Sequence, residues 1–191
     1  LKRYAHCDVS AAVKRLRSRS GHTLLVTDGV FSMDGDVAPL VALAEAAAEA
    51  GATLLVDDAH GIGVLGASGA GLLEDLTLGV AEVPVLVGTL GKAFGCAGAF
   101  VAGSAALIEQ LVNEGRSVIY STALSPAMAQ AGLEALDRIQ TQPELRQRLH
   151  DNIAWFRAGA QQRGITIRNS RTPIQPLVLG SERRVMAVAA M

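Results

Sequence analysis

The chain has 191 residues, half of them apolar, and 17 Lys and Arg against 18 Asp and Glu leave a net charge of −1. That balance excludes a disordered chain, and the absence of a basic stripe gives no nucleic-acid footprint. Glu45 and Glu49 interrupt the densest apolar run, residues 42–50, so no segment approaches the ~20 residues of a membrane span.

Residues 11–19 carry Val13 and Leu16 among basic side chains and predict a short surface helix. Residues 22–28 read as a buried strand that turns at Gly29. Ala38-Pro39 opens a helix, because proline lacks only an N–H that the first turn cannot use. Leu40, Leu43, Ala44 and Ala47 share one face of it, and Gly51 ends it. An apolar strand, residues 53–56, then runs straight into Asp57, so residues 22–57 predict a βαβ unit and a mostly parallel sheet. A loop containing Gly61, Gly63, Gly66, Gly69 and Gly71 leads to a strand at 85–89, with a further strand returning at 98–102.

Ser104 predicts a helix cap before the stripe Leu107, Ile108, Leu111 and Val112. Ser125-Pro126 starts another helix, running to about Gln140, and Pro143 starts a longer one that stops before Gly164. Residues 165–168 and 175–179 predict strands of a smaller subdomain, and 185–191 a helix-like pattern. The expected fold is α/β: a mostly parallel sheet with helices on both faces. The large domain is expected over 1–142, and a connecting helix plus the start of a smaller domain over 143–191. With no initiator methionine and an end inside a helical pattern, the chain is expected to be a piece of a longer one.

Lys92 is the most informative residue, alone among glycines and apolar side chains directly after a strand. Such a lysine is expected to be poorly hydrated, which disfavours its ammonium form and lets the amine hold a carbonyl as a Schiff base. Asp57-Asp58-Ala59-His60 closes an earlier strand. An aspartate and a lysine at two strand ends are what pyridoxal phosphate requires, one atom to anchor and one to ionise. Read alone, Asp57 or Asp58 is as readily a turn cap, and His60 a satisfied loop histidine. The lysine run lacks the glycine spacing and following Ser or Thr of a phosphate loop, as Ala93 shows. Asp34-Gly35-Asp36 lacks calcium-loop spacing, and Cys7 and Cys96 have neither disulfide nor metal spacing. No metal is therefore expected, and a reducing, cytoplasmic setting is. His6, His22 and His150 have no partner recognisable in the sequence. Tyr120-Ser121-Thr122 places three hydroxyls before a helix, where phosphate oxygens or an ordinary first turn explain them equally.

Residues 26–36, 56–61 and 89–95, in that order, resemble the α-oxoamine synthases. These are pyridoxal-phosphate enzymes of fold type I that condense an amino acid with an acyl thioester and release carbon dioxide. Residues 119–126 and 173–180 look most like the members that join L-alanine to a pimeloyl thioester, of coenzyme A or a carrier protein, in biotin synthesis. Members that use glycine, or a non-catalytic relative, are the alternatives. The resemblance implies that Lys92 holds the cofactor and later takes the α-proton, that Asp57 binds the pyridine nitrogen, and that His60 binds the phenolic oxygen. It also implies cofactor contacts from Ser32 and Thr89. A homodimer is implied too, in which Ser121 and Thr122 reach the neighbouring subunit's phosphate. The family's ring-stacking histidine and substrate-binding arginine have no counterpart here, so the chain alone is expected to be inactive.

Overall fold

The structure, a computed structural model, describes residues 1–19 and 21–190. Met191, the last residue of the expected terminal helix, lies outside them. Helix α1 (Val9–Arg17) begins earlier than predicted because Asp8 caps it, accepting the Ala11 N–H at 2.8 Å. Strand β1 (Leu24–Asp28), helix α2 (Leu40–Glu49) and strand β2 (Thr53–Asp57) form the expected βαβ unit. Gly51 follows α2 at φ 62°, the left-handed conformation that favours glycine. A short helix α3 (Leu72–Asp75) closes the glycine loop before β3 (Val85–Thr89), and β4 (Ala99–Ala102) returns beside it.

The sheet order is β1-β2-β3-β4, with β1 to β3 parallel and β4 antiparallel to β3. Asp28 stands opposite Asp57, Asp57 opposite Val87, and Thr89 opposite Ala99. Parallel pairing thus brings the carboxyl ends of three strands to one edge. The core lies on one side of the sheet, where Leu25, Leu54 and Val56 meet Leu40, Leu43, Ala44 and Ala47 of α2 and Ala12 and Leu16 of α1. Burying each such leucine contributes about 1.5–3 kcal/mol. Strand β1 is buried on this side only: Leu24 and Val26, on its other face, are 54% and 51% exposed.

Helices α4 (Ala105–Glu114), α5 (Arg116–Ile119), α6 (Pro126–Thr141), α7 (Pro143–Gln162) and α8 (Glu182–Ala189) complete the chain. Ser104 and Ser125 cap α4 and α6 as predicted. The apolar stripe of α4 buries no residue, and α6 buries only Gly132. No described helix is long and apolar enough to cross a membrane.

Residues 165–168 and 175–179, expected as strands, form none among the described residues. A strand exists only with a ladder partner, and side chains supply the bonds instead. Arg157 donates to the Arg168 carbonyl and the Gln175 side chain, and Gln175 donates to the carbonyls of Ser170 and Thr172. This part packs against the earlier residues through Ser170, which donates to the Gly35 carbonyl at 2.6 Å, and through Arg146, which donates to that of Ala67 at 2.8 Å.

Candidate active site

The parallel ladder continues one step past the strands. Gly29 N–H donates to the Asp57 carbonyl at 2.7 Å, and Asp58 N–H to that of Val87 at 2.9 Å. The Asp57-Asp58 pair is therefore held on rigid backbone, and alternation sends its two carboxyls to opposite sides. Asp57 is half-buried; its Oδ1 accepts the Ala59 N–H at 3.0 Å, and among the described residues nothing donates to its Oδ2.

Asp58 is fully buried, and its Oδ2 accepts the Leu72 N–H at 2.7 Å. Its Oδ1 is buried without a well-formed bond, although the nearby Gly61 N–H favours its ionised form. Burial first, then the charges of Asp57 and Asp75, push this carboxyl up to about 6. Asp58 thus ties the segment bearing His60 to α3 and stays out of the open site.

The turn after Asp58, closed by Gly61 and Ile62 N–H bonds to its carbonyl, presents His60. Burial and then the charge of Lys92 push the His60 ring down from its ordinary value, while Asp28 and Asp57 oppose them. The folded ring binds its proton less readily than the unfolded chain does. Acidification through the ordinary value of 6.5 therefore opposes folding at this position. Burial and then the Asp57 charge raise Asp28, while His60 and Lys92 lower it. The charges of Asp57 and Lys92 accordingly both reach Asp28 and His60, which places the four groups together.

Lys92 sits on a loop anchored by Thr89, whose hydroxyl accepts the Gly91 N–H at 3.1 Å and donates to the Gly98 carbonyl at 3.2 Å. Cys96 N–H to the Leu90 carbonyl, at 2.7 Å, closes that loop. The glycine loop packs directly on it: a Cβ at Gly63, whose φ is +80°, would stand 2.5 Å from the Ala93 Cβ. His60 and Lys92 share a cavity of about 300 Å³ with Ile62, Val64, Pro173 and Ile174. A larger one, about 620 Å³, lies between residues 1–7 and β1 and lacks Lys92 and His60, so the chemistry selects the smaller.

Lys92 itself is exposed, which corrects the expectation of a poorly hydrated amine: its apolar sequence neighbours do not cover it. Ser32 is exposed on the turn 31–36, and no described side chain bonds its hydroxyl. Ser121 and Thr122 are exposed between α5 and α6; the Ser121 hydroxyl donates to the Ser117 carbonyl, and nothing described bonds either residue to the Lys92 cluster. His6, for which the sequence shows no recognisable partner, bonds Asp36. The sequence reading also missed the anchoring by Asp58, for which the crowd of nearby glycines is the available signal, and the apolar wall at Pro173 and Ile174.

The description Aminotransferase class I and II matches residues 1–191. The chain belongs to that family. Within it, the chain is 53% identical over 189 residues to the 8-amino-7-oxononanoate synthase of Stutzerimonas stutzeri (strain A1501), covering 99% of this chain and 48% of that protein. The Pseudomonas fluorescens protein of the same name is also 53% identical over 189 residues, with the same coverage. The chain thus spans about half the length of the curated relatives it matches.

Among solved structures of this aminotransferase class I and II fold, serine palmitoyltransferase from S. paucimobilis with a bound PLP-myriocin aldimine superposes with a TM-score of 0.90 at 28% identity. That match covers 95% of this chain and 48% of the other. The 8-amino-7-oxononanoate synthase of Francisella tularensis gives 0.83 at 31% identity, covering 98% and 55%. The α/β sheet described above is therefore the fold of these aminotransferase-family enzymes.

Proposed function

We propose that the chain holds pyridoxal phosphate within an acyltransferase that joins L-alanine to a pimeloyl thioester, of coenzyme A or a carrier protein. The products are 8-amino-7-oxononanoate, carbon dioxide and the free thiol. The convergence of Asp57, His60 and Lys92 at the carboxyl edge of the sheet carries this reading. The 53% identity to 8-amino-7-oxononanoate synthases supports the choice of substrates.

The donor set fits the cofactor: a half-buried carboxylate with one oxygen unclaimed, a neighbouring imidazole, and an amine on a cavity of small-molecule size. When bound, pyridoxal phosphate supplies an electron sink beside the substrate nitrogen. Lys92 Nζ would hold the cofactor covalently and would serve as the base for the substrate's α-proton. Asp57, with one carboxylate oxygen unclaimed, would hold the pyridine nitrogen and its proton. His60, whose ring burial and the nearby Lys92 charge push down from its ordinary value, would bind the phenolic oxygen. Thr89 and Ser32 contact the cofactor, Thr89 at its phosphate. Ser121 and Thr122 serve the phosphate of a second copy in a cytoplasmic homodimer, which accords with their exposure. Residues 1–142 form the cofactor domain, and 143–191 lead into a smaller domain.

Turnover of the whole protein on alanine and on glycine tests the substrate assignment. Alanine is expected to win by about 10- to 100-fold in kcat/KM, the discrimination that one methyl group allows. Equal or better turnover of glycine overturns the assignment and favours a glycine-using member of the same class.

A further inference from the structure

Outside the Lys92 cluster, three side chains with different donor atoms meet where the amino-terminal segment crosses the turn 31–36. We propose that His6, Cys7 and Asp36 form a binding site for a thiophilic divalent cation, with zinc the expected occupant.

His6 Nε2 lies 2.6 Å from Asp36 Oδ2, and Cys7 Sγ lies 3.5 Å from the His6 nitrogen and 3.6 Å from the same Asp36 oxygen. A tetrahedral zinc bound by one sulfur, one nitrogen and one oxygen sets the sulfur about 3.5 Å from each of the other two, and those two about 3.3 Å apart. The sulfur distances are already those of a ligand set. Only the His6–Asp36 pair, now joined by a hydrogen bond, must part, by about 0.7 Å. Three protein ligands leave the fourth position to water.

The ligands are held before any cation arrives. Phe31 N–H donates to the Asp36 carbonyl at 2.9 Å, and a bridge between Val30 and Val37 fixes the base of the turn. The His6 ring stands edge-on to Phe31 with centroids 4.3 Å apart, which sets its plane.

Asp36 Oδ1 supplies an independent sign of a missing partner: it is buried with no hydrogen bond. Leaving such an oxygen unmet is costly, and a cation on the same carboxylate offsets its charge. An entry path exists, because His6 and Cys7 line the cavity of about 620 Å³ beside β1. Cys7 is half-buried, and its thiol meets both His6 and Asp36. Binding would displace that thiol proton to solvent as the sulfur–metal bond forms, with no change of oxidation state.

Cobalt(II) titration of the full chain, free of added thiols, tests this. One equivalent is expected to give a thiolate-to-cobalt charge-transfer band and the visible bands of a tetrahedral site, both displaced by zinc. The charge-transfer band should vanish in Cys7→Ser and stay unchanged in Cys96→Ser. Binding should weaken about tenfold or more in Asp36→Asn. Circular dichroism confirms that each variant is folded. A folded chain that shows no band up to millimolar cobalt, or a band that survives in Cys7→Ser, overturns the site.

Discussion

Asp57→Asn in the whole protein is expected to leave the cofactor on Lys92 while lowering turnover by about 10²- to 10³-fold, the usual cost of removing one preorganised charged partner. The substitution is nearly isosteric. The Ala59 N–H that now meets Oδ1 still finds an oxygen, so the turn bearing His60 keeps its place. What disappears is the negative charge proposed to hold the pyridine nitrogen, and with it the preference for a protonated ring. The same change has a signature independent of turnover. The Asp57 charge raises both His60 and Asp28, so removing it should shift their titrations downward in NMR. Undiminished turnover would remove Asp57 from the mechanism. Unmoved His60 and Asp28 would show that the cluster is not coupled.

Gly61→Ala should destabilise the fold by about 3 kcal/mol, the upper range for forcing an atom into a packed interior. A Cβ there would stand 2.1 Å from Asp58 Oδ1 and 2.8 Å from Oδ2. The carboxyl has little room to retreat, since a Cβ built on Gly71 would stand 2.2 Å from Oδ2 and one on Gly29 2.8 Å from Oδ1. For a chain of this size the loss corresponds to a fall in Tm of about 6–12 °C.

Asp58→Ala should itself cost about 2–3 kcal/mol, by orphaning the Leu72 N–H and leaving a cavity. In that background Gly61→Ala should cost almost nothing, because the clashing group is gone. Additive losses in urea melts would refute the cradle. The folded Asp58 carboxyl holds its proton to about 6, whereas the unfolded one releases it near 3.8. The penalty for burying its charge is therefore full above about 6 and fades as the pH falls toward 3.8. Asp58→Ala should abolish that part of the pH trend.

The strand ends at Asp28, Asp57 and Thr89 were legible because each apolar run stops at a polar residue there. The caps Ser104 and Ser125 were legible for a similarly local reason: a hydroxyl meets an N–H three residues on. Helices α3 and α5, four residues each, are too short to display a period. Residues 165–168 and 175–179 have strand-like sequences, but a strand belongs to two segments, and Arg157 took the carbonyl of Arg168 that a partner would have used.

Residue type and position singled out Lys92, Asp57 and His60, yet the environment of Lys92 could not be read that way. Glycine and alanine neighbours in sequence do not shield an amine that the loop turns outward. The pairing of His6 with Asp36 spans 30 residues and leaves no trace in spacing. Apolar stripes on α4 and α6 were visible, but a stripe does not state what covers it.

The chain contains three lysines, Lys2, Lys14 and Lys92, which makes the central claim directly measurable. Incubation with pyridoxal phosphate, reduction by borohydride and peptide mass mapping should put one phosphopyridoxyl group on Lys92 and none after Lys92→Ala. A label on Lys2 or Lys14, or one spread evenly over all three, would contradict the assignment.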